Sequence, residues 1–177
     1  MKRLIAMLLA LVLALAMCAC GSEEENENSE NEAAEHKTVR TVADPEGALE
    51  EIYAQLERKT GLVDADDDIV SDVMGFDLEV IDEYYIRYME TDYGASDVYI
   101  IKPTEGEDES VREAMKTWQE SRIRAFSGYD IYNSTEISEN AMIFRRGDYL
   151  VMLMLEDNDA ARSIIDEYIP EELNLEN

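Results

Sequence analysis

An α+β domain is predicted for residues 44–177: a small antiparallel sheet built from two hairpins, with helices packed mainly on one face, in the order ααββαββα. Three observations point there. Strand-forming runs come in two pairs, each joined by a short turn or loop, the pattern of hairpins rather than of parallel crossovers. Helical spacing lies before, between and after these pairs, which groups the helices apart from the strands. Of the 177 residues, 46% are hydrophobic, enough to bury a core although 42 acidic residues stand against 15 basic ones and give a formal charge of -27.

The first segment lies ahead of that domain. Met1, Lys2 and Arg3 make a basic start, and residues 4–19 are an unbroken run of Leu, Ala, Met, Val, Ile and Cys. This is the pattern of an export signal. As a helix the run would measure about 24 Å at about 1.5 Å per residue, short of the roughly 30 Å of bilayer hydrocarbon. Its end, Leu15-Ala16-Met17-Cys18-Ala19-Cys20-Gly21, resembles a bacterial lipobox, in which a small residue precedes the cysteine that becomes the new amino terminus. Ala19 before Cys20 fits that pattern, whereas bulky Met17 before Cys18 does not. The resemblance implies that residues 1–19 are a lipoprotein signal peptide and that Cys20 receives a diacylglyceryl group. Two acyl chains give stable anchoring where one is marginal. The alternatives are an ordinary secretory signal cut after residue 16 and an uncleaved anchor.

Cys18 and Cys20 are the only cysteines, so a domain beginning at residue 44 has no disulfide, no thiol nucleophile and no cysteine-ligated metal. Residues 22–36 hold seven Glu and three Asn with no large apolar side chain, and no core can form there. Residues 20–43 therefore read as a lipidated cysteine followed by a disordered acidic linker. His36, the sole histidine, sits in it without partners at fixed distance, so it reads as an incidental solvated residue.

Within the domain, Asp44-Pro45 is a cap and first helical residue, and Leu49, Ile52, Tyr53 and Leu56 follow at helical spacing, predicting a helix over 45–59 closed by Gly61. Arg58 and Lys59 suit the carboxyl end of its dipole. The acidic run at 64–68 suggests calcium, but a calcium loop starting at Asp64 would require Gly at Ile69 and Glu at Gly75. Capping of a short helix over 67–74 is the favoured reading, with Asp77 capping a further turn. Strands follow over 84–90 and 98–102, the second ended by Pro103. The longest helix is predicted over 109–126, with Val111, Met115, Trp118 and Phe126 on its inner side. Trp118 reads as core rather than as a stacking platform. Residues 141–146 and 149–155 form the second hairpin across Gly147-Asp148. Its second strand is apolar on both faces and is expected at the centre of the sheet. A helix over 159–168, capped by the 157–159 acidic run, closes the domain. Arg146-Gly147-Asp148 is explained by turn chemistry, and Asn133-Ser134-Thr135 carries no glycosylation meaning in a bacterial context.

Taken as a set, Gly75-Phe76-Asp77 before Glu83-Tyr84-Tyr85, the run Ala95-Ser96-Asp97-Val98-Tyr99-Ile100-Ile101-Lys102, and Arg146-Gly147-Asp148-Tyr149-Leu150-Val151 with the closing helix resemble bacterial lipoproteins of the domain of unknown function 4358 family, over residues 49–168. The resemblance implies an exported, lipid-anchored α+β domain and supplies no catalytic residues.

Function is bounded more than it is identified. The domain keeps 35 of the 42 acidic and 11 of the 15 basic residues, a field opposed to nucleic acid, which needs a basic stripe. The expected address is the outer face of the cell membrane, held by the lipid anchor. With neither histidine nor cysteine in the domain, an enzyme is disfavoured and no cofactor is implied. A binding or accessory module for a protein or small ligand at the cell surface is the favoured reading. A carboxylate-based hydrolase and a weak cation-binding acidic surface are the alternatives. Tyr85, Arg87, Tyr99 and Arg145, all on predicted strands, form the candidate binding surface. The competing account makes the tyrosines half-buried sheet residues and the arginines solubilising edge charges.

Overall fold

The computed structural model describes residues 40–171. The expected leader, Cys20, His36 and the linker up to residue 39 lie outside the described residues.

Helix α1 (Pro45–Gln55) begins where Asp44 accepts the Gly47 N–H at 2.9 Å and Pro45 takes the first turn. Strands β1 (Leu62–Asp64), β2 (Ile81–Met89) and β3 (Asp97–Pro103) follow. Helices α2 (Asp108–Phe126) and α3 (Ser134–Glu139) then lead to strands β4 (Met142–Arg146) and β5 (Tyr149–Met154), and α4 (Asn158–Tyr168) closes the chain. The sheet order is β1-β2-β3-β5-β4 with every neighbouring pair antiparallel. The fold is the expected antiparallel α+β arrangement with both hairpins, and β5 lies inside the sheet with all six residues buried.

Its layering differs from the expectation. Helices cover both faces of the sheet rather than mainly one. On one face Val111, Met115 and Phe126 of α2 and Ile137 of α3 pack over Tyr99, Ile101, Leu150 and Met152. On the other, Leu49 and Ile52 of α1 and Ala161 and Ile165 of α4 pack over Val98, Ile100, Val151 and Leu153. The cause is the apolar character of β3 and β5 on both sides. Each such side chain gains about 1.5–3 kcal/mol on burial, so neither face is stable facing water.

Smaller differences have local causes. Helix α1 stops at Gln55, because Leu56 turns extended and Lys59 Nζ donates to the Ala54 carbonyl at 3.2 Å, closing the helix end. The acidic run caps as expected. Asp66 accepts the Ile69 N–H at 3.0 Å ahead of a π-helical turn at Ile69–Val73, and Asp77 accepts the Glu79 N–H at 2.9 Å. Strand β1 and helix α3 are additions, too short for a periodic pattern to mark. At the start of the described chain Arg40 pairs with Asp44 and lies 3.9 Å over the Tyr168 ring. Among the described residues no helix is long and apolar enough to cross a membrane.

Candidate functional site

The four strand residues expected to share a surface do not. Successive strand residues point to opposite faces, and each of these is otherwise engaged. Tyr99 is a correction: it is 0% exposed, beneath α2. Arg145, on the same face at the β4 edge, is ion-paired to Asp108. Tyr85 packs half-buried against the opposite core and donates to Glu83 at 3.2 Å. Arg87 lies on Tyr85's face, donating to Asp64 at 2.5 Å and to Glu50 at 2.7 Å above the Tyr53 ring. Its own carboxylates already fill the place an anionic ligand would take.

Tyr99 belongs to a buried clamp that holds the β2–β3 loop. Arg122 reaches up from α2, with Nε 2.9 Å from Asp97 Oδ2 and Nη2 donating to Asp97 Oδ1 at 3.1 Å. Nη2 also donates to the carbonyls of Met89 and Gly94, and Nη1 donates to the Thr91 hydroxyl. Asp97 further accepts the N–H groups of Met89 and Ser96 and the Tyr99 hydroxyl, which accepts in turn from the Trp118 indole. Trp118 is thus partly buried core, as its spacing predicts. Burial pushes the Asp97 carboxyl up, against the pull of Arg122. Tyr53, buried and with its one hydroxyl proton shared between the carbonyls of Arg87 and Ser96 at 2.8 Å each, fixes the same loop from the other face. Burial pushes the Tyr53 and Tyr99 phenols well up. Apart from Arg122 Nε, which lies 2.9 Å from Asp97 Oδ2 as an ion-pair contact without hydrogen-bond geometry, the polar groups of the clamp are paired within it, so it positions the loop.

What the loop is held against is a cleft of about 450 Å³ at this end of the sheet. It is bounded by the end of α1 and its exit (Ile52, Leu56, Arg58), by Ala95 and Ser96 of the loop, and by Glu156 and Ala161 at the start of α4. A second cleft of about 470 Å³, reaching Tyr132 and Glu136, lies across residues 155–157. The ring of Tyr132 lies 4.4 Å from the Arg58 guanidinium and is 64% exposed. Tyr132 and Asn133 both adopt left-handed backbone, φ 52° and 59°. That conformation is strained for a bulky residue such as Tyr132 and concentrates at functional segments.

Arg58 is the uncommitted group here. Its Nη1 is buried without a hydrogen-bond acceptor, and no ion pair among the described residues involves it. In sequence, Arg58 suits the carboxyl end of a helix dipole and Tyr132 falls between predicted elements. The one signal in the sequence is that Arg58 follows Leu56, the last apolar residue at helical spacing, by two positions. Among the described residues no group of three or more His, Cys, Asp or Glu is arranged to hold a metal ion.

A family model described as Domain of unknown function (DUF4358) matches residues 54–155, from the end of α1 through β5. The match includes Asp97, Tyr99, Trp118 and Arg122 of the clamp, Arg58 and Tyr132, and leaves out Tyr53 with most of α1 and all of α4. No curated protein and no solved structure matches the chain.

Proposed function

The chain belongs to this domain of unknown function family, and from that premise we propose that it is a lipid-anchored extracytoplasmic binding module, its site the cleft between the end of α1, the β2–β3 loop and the start of α4. The observation that carries the binding reading is Arg58, a guanidinium at the cleft with a buried nitrogen that has no acceptor. Arg58 is otherwise partly exposed and makes no ion pair among the described residues, so its accessible N–H groups are open to a ligand acceptor. The anchor rests on the apolar leader ending at Cys20. An accessory role without catalysis is supported by the absence of histidine and cysteine from residues 44–177, which leaves the domain without the commonest general base or a thiol nucleophile.

The test is site-specific photocrosslinking on living cells, with the photoreactive residue at exposed Gln55 beside the cleft or at exposed Glu113 on the far face. A discrete adduct from position 55, of small-molecule or protein mass when read by intact mass spectrometry, and none from position 113 is expected. Identical patterns from both positions, or none from either, overturn the reading.

A further inference from the structure

The proposed site carries a more specific assignment, which rests on the reading above. We infer that the cleft takes a small dipolar ligand, one bearing both a carboxylate and an ammonium group, of the class of free amino acids and short unblocked peptides.

Arg58 supplies the anion-binding half. Its guanidinium is backed by the Tyr132 ring and has a nitrogen without an acceptor, and a planar guanidinium binds a carboxylate through paired N–H donors. Arg87, by contrast, is occupied by Asp64 and Glu50. Glu57 and Glu156 supply the other half. Both line the same cleft, and neither makes a salt bridge among the described residues. The third acid there, Asp157, is spent accepting the Ala160 N–H at 2.9 Å, which closes the amino end of α4.

These groups exclude single-sign ligands on physical grounds. A purely anionic ligand meets the field of Glu57, Glu156 and a strongly acidic domain. A purely cationic one leaves the Arg58 guanidinium without an anion. A ligand with both charges answers both groups, and about 450 Å³ lies within the range of small-molecule pockets. Ile52, Leu56 and Ile164 add apolar wall for a side chain.

The experiment is thermal-shift and calorimetric titration of the full chain with a pool of dipeptides in four forms: unblocked, N-acetylated, C-amidated and doubly blocked. The unblocked pool at about 1 mM is expected to raise the melting temperature. Each single block should weaken binding by about tenfold or more, the scale of one charge-assisted contact. Arg58→Gln should erase the penalty for C-amidation alone, and Glu156→Gln should reduce the penalty for N-acetylation alone, with the unliganded melting temperatures of both variants as folding controls. Equal binding of blocked and unblocked pools, or no response to any pool, overturns the assignment. If no pool responds while the crosslink from position 55 persists, the ligand class is wrong and the binding reading stands. If both are absent, both fall.

Discussion

Arg122 and Asp97 show how much a single residue pair decides. Two charges buried to 2% and 0% exposure survive in a core because both terminal guanidinium nitrogens and both carboxylate oxygens find hydrogen-bond partners around the β2–β3 loop, while Arg122 Nε keeps an ion-pair contact at 2.9 Å from Asp97 Oδ2. Removing one partner strands the other. Arg122→Ala should therefore cost about 3–5 kcal/mol in urea denaturation, the scale of an uncompensated buried charge. A loss under about 1 kcal/mol would mean that water reaches Asp97. In sequence, Asp97 falls between two predicted strands and Arg122 is one position in a long predicted helix. Only the crossing of α2 over β3 brings them together, so no local pattern announces the pair. Tyr99 failed as a surface residue for the same reason: alternation places it opposite Ile100 without saying that α2 covers its side.

At the scale of elements, what was legible was periodic. Helix α4, the β4–β5 hairpin and the 19-residue α2 appear within a residue or two of their expected limits, because caps, turn residues and apolar spacing agree in each. Strand β1 at three residues and α3 at six are too short to carry a period, and α1 ends early through a tertiary closure by Lys59. The division of helices between two faces was also implicit in β3 and β5, whose unbroken apolar runs demand cover on both sides. The hairpin turn gives a direct check. Gly147 has φ +54°, and a Cβ there would stand 2.7 Å from the Pro170 carbonyl oxygen, whereas Gly75 has φ +77° with nothing within 4 Å. Gly75→Ala should cost about 1 kcal/mol from left-handed backbone alone. Gly147→Ala should cost clearly more in the same chemical denaturation series, and equal costs would show that the Pro170 segment yields freely.

For the molecule as a whole, the phenols make folding stability depend on alkaline pH. Burial, with a hydrogen bond to Asp67, pushes Tyr84 up to about 12, and burial pushes Tyr53, Tyr99 and Tyr149 up as well. A folded value above the unfolded one, near 10, means the native state holds protons the unfolded chain releases, so stability is complete below about pH 10 and falls as pH rises toward 12. Denaturation midpoints should therefore be level from pH 7 to 9 and drop from pH 10 upward, and a flat profile to pH 11.5 would contradict this assignment. The acidic excess, 35 carboxylates against 11 bases from residue 44 onward, gives the domain a strongly negative field. The binding module proposed here depends on the lipid anchor expected at Cys20. The most direct test is metabolic labelling with a clickable fatty acid in a bacterial host, comparing the native chain with Cys20→Ala. The account expects labelled protein at the outer face of the membrane and no label on the variant. An unlabelled native chain retained in the cytosol, or a variant labelled as strongly as the native chain, would contradict it.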